Sequence, residues 1–143
     1  MTSKPVILLV DDDGDLRILV RDAIISACPD ADIREAASAP EAIEYIERCS
    51  PGGPVPRPGM IYLDIEMFGH SGLSVLHVVK SRPQLRDIPV IMLTGVDDNE
   101  QKRRAARMGA NSYILKPADP VAMLKAIRMT TEYWLNIHQL CQA

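Results

Sequence analysis

Aromatic side chains are scarce in this chain of 143 residues, which contains one Phe, one Trp and four Tyr. Hydrophobic residues nevertheless make up 47% of the sequence and charged residues 24%, as is typical of a folded globular domain. The composition is too apolar for an intrinsically disordered chain. We therefore expect a core built from Ile, Leu, Val, Ala and Met.

Cysteines are also few, and long apolar runs are missing. Cys28, Cys49 and Cys141 lie far apart and form no CxxC pair, so neither a disulfide framework nor a thiolate zinc site is expected. No apolar run approaches the roughly 20 residues that a membrane helix needs. The N-terminal segment is too short and too soon acidic for a signal peptide. We expect a cytoplasmic protein without a membrane partner.

An excess of positive charge is absent as well. The formal net charge is -3, whereas a domain that binds nucleic acid is generally basic. We therefore expect no nucleic-acid partner. A dinucleotide-binding unit is also set aside, because the sequence DDDG at residues 11–14 stands where such a unit carries a glycine-rich loop.

The length predicts a single domain over residues 1–143. Residues 50–59 contain four prolines and three glycines, which excludes a helix or a strand there. Because neither flanking part is long enough to fold alone, this segment is predicted to be an inserted surface loop and not a linker.

Short apolar runs alternate with longer segments of helical periodicity. The apolar runs predict strands at residues 6–10, 31–37, 60–63, 88–93 and 111–115. The periodic segments predict helices at residues 16–27, from Ser38 onward, and at 71–81, 98–108 and 120 to about 140. Such alternation is typical of a doubly wound α/β fold, with five parallel strands covered by five helices.

Polar side chains stand where the predicted strands end. Strand one ends at Asp11 and Asp12, strand three at Asp64, strand four at Thr94 and strand five at Lys116. The carboxyl ends of parallel strands share one rim of the sheet, and ligands bind in the crevice there. We therefore expect three carboxylates, one hydroxyl and one ammonium group to lie together.

This set of groups is suited to phosphoryl chemistry. Three close carboxylates need a cation, and an all-oxygen set without His or Cys suits Mg²⁺. A carboxylate can also attack phosphorus to form an acyl phosphate. Lys116 and the metal can then neutralise the phosphoryl oxygens, and the Thr94 hydroxyl can donate a hydrogen bond to one of them.

Several motifs together resemble a known family. They are Val10–Asp13, Leu63–Met67 followed by Gly72, Met92–Gly95 and Gly109–Pro117. With these motifs the chain resembles a response-regulator receiver domain of two-component signalling, similar to the chemotaxis response regulator. The resemblance implies a flavodoxin-like sheet of strand order 2-1-3-4-5. It also implies a signalling switch that takes up and slowly loses its own phosphoryl group but is not an enzyme.

The resemblance assigns roles to individual residues. It implies that Asp64 accepts a phosphoryl group from the phospho-histidine of a sensor histidine kinase. Asp11 and Asp12 would hold Mg²⁺ together with Asp64 and the backbone carbonyl of Glu66. Thr94 and Lys116 would contact the phosphoryl group.

The resemblance extends to the switch and departs from the family at one position. Tyr113 falls at the family's switch aromatic, which moves together with Thr94, and the Lys116–Pro117 peptide would be cis. The family usually carries proline where this chain has Phe68, its only Phe. Two consequences stay open: a looser loop at Asp64, or an exposed apolar contact.

The last helix carries two apolar stripes. One stripe consists of Met123, Ala126, Thr130, Tyr133, Ile137 and Leu140. The other consists of Leu124, Ile127, Thr131 and Trp134, and it is predicted to pack on the sheet. The long helix, its Trp-Leu pair and the loop before strand three resemble the small response regulators of bacterial phytochromes. That resemblance implies a homodimer through the last helix and a phytochrome kinase as partner.

An enzymatic alternative uses the same groups. A Mg²⁺-dependent phosphatase or phosphotransferase of the haloacid dehalogenase type also forms a phospho-aspartate, and it needs a second acid two residues later. Glu66 stands at that spacing from Asp64. Because no residues remain for a cap domain over a substrate, the sequence favours the switch, whose output would be a downstream protein contact or onward phosphotransfer.

Overall fold

A parallel sheet of five strands forms the centre of the computed structural model, which describes residues 4–50 and 53–137. The strands of the structure are β1 Val6–Val10, β2 Asp32–Ala36, β3 Met60–Asp64, β4 Glu66–Met67, β5 His70–Ser71, β6 Val90–Thr94 and β7 Ser112–Leu115. The large sheet has the order β2-β1-β3-β6-β7. This confirms the predicted order of the five principal strands.

Among the residues that the structure describes, four α-helices connect strands and a fifth follows β7. They are α1 Gly14–Ala27, α2 Ala39–Arg48, α3 Leu73–Ser81, α4 Asn99–Arg107 and α5 Pro120–Glu132. A π-helical segment, Tyr133–Ile137, continues from α5. Within the described ranges, none of the helices is long and apolar enough to cross a lipid bilayer.

Alternating strand residues fill two separate cores, one on each face of the sheet. On β3, Ile61 and Leu63 pack toward the core that contains residues of α2 and α3. Met60 and Tyr62 pack toward the other core, with residues of α1 and α5. The two-residue period of a strand, with a core on each face, therefore explains why residues 60–63 of β3 are all apolar or aromatic and why the strand is buried at every position.

Side-chain caps fix where most helices begin. In four of the helices, a side-chain oxygen of the residue before the helix accepts hydrogen bonds from backbone N–H groups of the first turn. These residues are Asp13 for α1, Ser38 for α2, Asp98 for α4 and Asp119 for α5. The helices predicted from Ser38 onward and from residue 120 thus begin where the sequence indicated. By contrast α3 starts two residues later than predicted, and no side chain caps it.

The last helix differs from the prediction in two ways. Met123 belongs to the stripe that was not predicted to pack on the sheet, but its side chain is buried in the core beneath α5. The α-helix ends at Glu132 and not near residue 140. Just before this end, the hydroxyls of Thr130 and Thr131 donate to carbonyls four residues earlier, an arrangement that bends helices. Residues 138–143 lie outside the described residues.

The described residues of the proline-rich loop, Ser50 and 53–59, form neither helix nor extended strand, in agreement with the prediction. Residues 51 and 52 lie outside the described part, and an isolated bridge joins Ser50 to Pro56. The Tyr45 hydroxyl donates to the Pro56 carbonyl at 2.6 Å, and the Gly59 N–H donates to the Val6 carbonyl at 2.7 Å. These bonds hold the loop against α2 and β1.

A buried polar group ties the central strand to the last helix. The Tyr62 hydroxyl lies 2.7 Å from Thr131 Oγ1 and 3.2 Å from the Ile127 carbonyl oxygen. Tyr62 and Thr131 are both fully buried, so neither hydroxyl can exchange its partner for water. Burial is also the main reason that the pKa of Tyr62 is raised.

We expect Tyr62→Phe to lower the free energy of unfolding by about 1–2 kcal/mol, because a buried hydrogen bond is lost while the ring still fills its site. Urea unfolding gives this quantity. Tyr45→Phe is the matched control, and its loss should be smaller because water can reach the half-buried Pro56 carbonyl. Equal stability of wild type and Tyr62→Phe would contradict the role of this bond.

Candidate phosphoryl and metal site

The predicted site residues meet at one rim of the sheet. Asp64 and Thr94 are the last residues of β3 and β6, while Asp11 and Lys116 follow β1 and β7 directly. The parallel registers continue beyond the strands, since the Lys116 N–H donates to the Thr94 carbonyl at 2.7 Å. The backbone pairing of the parallel strands therefore brings these four side chains to the same end of the sheet.

Three carboxylates form the floor and edge of the site. Asp11, Asp12 and Asp64 each offer an oxygen within 4.8 Å of the others. Asp11 and Asp64 are buried, with exposed fractions of 1% and 3%, whereas Asp12 is exposed. The cluster is thus closed from below and open to solvent on the side of Asp12.

Lys116 lies between the two buried carboxylates. Its Nζ atom is 3.0 Å from Asp11 Oδ2 and 3.3 Å from Asp64 Oδ1. One ammonium group cannot balance three carboxylates, so the cluster keeps an excess of negative charge when all are ionised. That excess favours a divalent cation on the open side.

Burial and charge shift the pKa values of the site in a coupled way. The pKa of Asp64 is raised from 3.8 to about 6, mainly because the group is buried and also because of the nearby Asp11 charge, while Lys116 and the Glu66 N–H partly oppose the rise. Burial disfavours the charged form of Lys116, but Asp11 and Asp64 outweigh it, so the pKa of Lys116 is raised. Lys116 therefore stays protonated while Asp64 titrates close to neutral pH.

The donor set fits a hard cation. The three clustered ligand groups are carboxylates, with no imidazole or thiolate among them, and oxygen donors of this kind suit Mg²⁺ or Mn²⁺. Each carboxylate also accepts a backbone N–H: Asp11 from Asp13, Asp64 from Glu66 and Asp12 from Phe68. The Glu66 side chain is exposed. The use of its carbonyl as a ligand stays a prediction.

Thr94 and Tyr113 are close to the site but bonded elsewhere. Thr94 is fully buried, and its Oγ1 accepts the Val96 N–H at 3.2 Å. The half-buried Tyr113 donates its hydroxyl to Gln101 Oε1 on α4 at 2.9 Å, and the Lys102 ammonium lies 5.7 Å from its ring. The Tyr113 hydroxyl also interacts with the Thr94 side chain, which partly opposes the rise in the pKa of Tyr113 that burial causes, so the two predicted switch residues are already linked in this structure.

The predicted cis peptide at Lys116–Pro117 is wrong for this structure. No peptide bond among the described residues is cis. The trans form is the more stable one for a bond before proline. In this structure Lys116 reaches both carboxylates with the trans bond.

Two backbone features of the loop after Asp64 were missed from the sequence. Glu66–Met67 and His70–Ser71 form a short antiparallel hairpin, whose turn contains Phe68 and Gly69 with φ 75°. A Cβ atom on Gly72 would overlap the carbonyl oxygen of Asp64, so only glycine fits there. The glycine in the motif was the available signal for this close approach.

Of the two consequences considered for Phe68, the structure has the exposed apolar side chain. The Phe68 ring is 95% exposed. Its N–H nevertheless donates to Asp12 Oδ2 at 2.7 Å. The residue therefore contacts the candidate site through its backbone and solvent through its side chain.

The sequence of this chain is similar to those of a known protein family. The protein-family model of the response regulator receiver domain matches residues 7–128. The probable methanogenesis regulatory protein FilR2 of Methanothrix harundinacea is 31% identical over 131 residues, covering 92% of this chain and 84% of that protein.

Solved structures share the fold over nearly the whole chain. The Mn²⁺-bound form of response regulator Rcp1 matches with a TM-score of 0.86 at 25% identity, covering 96% of this chain and 99% of that one. The phosphorylated cyanobacterial phytochrome response regulator RcpA has a TM-score of 0.89 at 24% identity and covers 98% of this chain and 100% of that one.

The raised pKa of Asp64 predicts how stability depends on pH in the absence of divalent cations. The folded protein binds a proton at Asp64 more tightly than the unfolded chain, so Asp64 favours folding at low pH. This contribution is lost as the pH rises from about 4 to about 6. We therefore expect Asp64→Asn to raise the free energy of unfolding near neutral pH by about 1–3 kcal/mol, with no gain below about pH 4.

Urea unfolding of wild type and variant across this pH range, with a chelator present, measures the difference directly. Asp30→Asn, an exposed aspartate outside the site, is the control and should show no such pH dependence. A destabilised Asp64→Asn at neutral pH would contradict the electrostatic argument.

Proposed function

The chain belongs to the response regulator receiver domain family, and we propose that Asp64 accepts its phosphoryl group from the phospho-histidine of a sensor histidine kinase. Receiver domains of this family are phosphorylation-controlled switches of two-component signalling. The observation that carries the assignment to Asp64 is that its carboxylate contacts Lys116 and also lies beside the Asp11–Asp12 pair. Asp64 is the carboxylate that Lys116 contacts at the end of the central strand.

The transfer would use the groups of the chain as follows. An oxygen of ionised Asp64 attacks phosphorus, the P–N bond of the phospho-histidine breaks, and the imidazole nitrogen leaves with the electron pair. Lys116 donates a hydrogen bond to a phosphoryl oxygen, and the Thr94 hydroxyl donates another. We propose Mg²⁺ as the cofactor, held by Asp11, Asp12, Asp64 and the Glu66 carbonyl. When bound, it would supply positive charge beside the phosphoryl oxygens.

The output would be a change of protein surface. To reach the phosphoryl group, Thr94 must leave its contact with Val96, and Tyr113 can then move from Gln101 toward the space beside Thr94. Both residues border α4 and β7. We propose that phosphorylation thereby changes the surface of α4, β7 and α5, which contacts a downstream protein or phosphotransfer partner.

The proposed function also concerns the domain organisation, the location and the partner kinase. We propose that residues 1–143 act as a single receiver domain in the cytoplasm, without catalytic turnover of a substrate beyond the chain's own phosphorylation and slow dephosphorylation. A bacterial phytochrome is proposed as the kinase, supported by the similarity of fold to RcpA and by the Trp134–Leu135 pair. No observation on the described residues favours the phosphatase alternative.

A homodimer through the last helix is proposed from the faces of α5. Val121, Leu124, Lys125 and Arg128 line a cavity shared with α1, so this flank is turned toward α1. Met129 does not line this cavity, and its side chain is 56% exposed. A large exposed apolar side chain of this kind is suited to burial against a second copy.

The phosphoacceptor assignment predicts that acetyl phosphate and Mg²⁺ add one phosphoryl group to the wild type, as measured by intact mass. Asp64→Asn should gain none, because its amide is not a nucleophile toward phosphorus. Asp30→Asn is the matched control and should be modified like the wild type. A phosphoryl group retained on Asp64→Asn would overturn the assignment, and sustained hydrolysis of small phosphate monoesters by the wild type would favour the phosphatase alternative.

The dimer predicts a two-copy mass in analytical ultracentrifugation with a phosphoryl analogue bound. Met129→Glu should shift the protein to monomer, because a charge on the proposed interface would be desolvated. Ile18→Glu, which places the same change on α1 at a 60% exposed position, should remain dimeric. A monomer at high concentration with and without the analogue would refute the interface.

A further inference from the structure

We propose that the backbone N–H of Phe68 positions the metal-binding carboxylate of Asp12, and so raises the affinity of the site for its divalent cation. This inference rests on the proposed metal site. Phe68 would act through Asp12 and not on the metal itself. It is therefore a positioning residue, and it acts through its backbone N–H.

The three carboxylates differ in how firmly they are held. Asp11 is fixed by the Asp13 N–H and by Lys116, and Asp64 is fixed by the Glu66 N–H and by Lys116. Both are also buried. Their positions are set before any cation binds.

Asp12 is held by a single hydrogen bond within the described part of the chain. Its side chain is exposed, and Lys116 forms its two ion pairs with the other carboxylates. Within residues 4–50 and 53–137, the sole hydrogen bond to the Asp12 carboxylate is the 2.7 Å contact from the Phe68 N–H. Without that donor, Asp12 would rotate freely in solvent, and binding a cation would have to order it.

The donor itself is rigidly placed. Phe68 lies in the two-residue turn of the β4–β5 hairpin, between Met67 and Gly69. The Met67 side chain is buried in the core, which anchors the turn from below. Because Gly72 packs directly on the Asp64 carbonyl, the whole loop is fixed relative to the phosphoacceptor.

A hydrogen bond to one oxygen leaves Asp12 able to bind a cation. A carboxylate has two oxygens with about four lone-pair directions, so Oδ1 and part of Oδ2 remain available. Partners that hold ligating carboxylates in this way typically change metal affinity by 10–100-fold when removed. An exposed position justifies the lower end of this range.

The identity of residue 68 affects the Asp12 carboxylate only through the presence or absence of a backbone N–H. Every residue except proline has the N–H, so proline is the substitution that removes this bond and nothing else from Asp12. The turn can accept it, since proline is common directly before a glycine of positive φ in type II turns. The preceding Met67 is in a strand, which is the conformation that a residue before proline prefers.

The test compares Mg²⁺ binding by calorimetry in the wild type, Phe68→Pro and Phe68→Ala. We expect Phe68→Pro to bind Mg²⁺ about tenfold more weakly. Phe68→Ala keeps the N–H and should bind within about twofold of the wild type, although it removes the exposed ring. Unchanged or tighter binding by Phe68→Pro would overturn the proposal, as would equal weakening by both variants.

A second measurement reports on the bond without any metal. The Phe68 amide proton in the wild type should appear at low field in NMR spectra and exchange slowly, and both properties should be lost in Asp12→Ala. An amide that does not respond to Asp12→Ala overturns the proposal even if Phe68→Pro fails to fold. In the Asp12→Ala background, Phe68→Pro should cause no further loss of affinity.

Failure of the metal site is distinguishable from failure of this inference. If the wild type does not bind Mg²⁺, the proposed metal site and its positioning residue are both overturned. If the wild type binds Mg²⁺ and Asp11→Asn weakens that binding while Phe68→Pro does not, only the role of Phe68 is overturned.

Discussion

The pairing of Lys116 with two buried carboxylates is the interaction on which the rest of the site depends. Asp11 and Asp64 are almost inaccessible to water, and burying carboxylates is costly unless a positive charge lies close by. Lys116 supplies that charge from the end of a strand two places away from β3 in the sheet. The parallel sheet brings these groups together, and the pair in turn joins the ends of β1, β3 and β7.

The central strand connects this pair to the last helix. Asp64 ends β3, and Tyr62, two residues earlier, bonds to Thr131 on α5. Because side chains two apart share a face of the strand, both lie on one side of β3. The buried hydrogen bond therefore links the strand that ends at Asp64 to α5, close to where α5 changes to a π-helix.

The sequence predicted the sheet and the site residues because their signals are strong: continuous apolar strands, each followed by a residue of distinct chemistry. It missed the β4–β5 hairpin, because two residues per strand carry no periodicity. It assigned Met123 to the stripe that was not predicted to pack on the sheet, because helical spacing alone cannot tell which of two apolar stripes faces the sheet. The Phe68 contact with Asp12 could not be predicted for another reason: it is made by a backbone N–H, which nearly every residue type has, so the sequence does not mark it.

The resting contacts of the switch residues define what phosphorylation has to overcome. Thr94 must give up the Val96 N–H, and Tyr113 must give up Gln101, each a neutral hydrogen bond worth about 1 kcal/mol. Bonds from Thr94 and Lys116 to charged phosphoryl oxygens are roughly twice as strong as neutral ones. Because Lys116 already forms charged pairs with Asp11 and Asp64, the net gain comes mainly from Thr94 and is small, and loss of the phosphoryl group restores the original contacts.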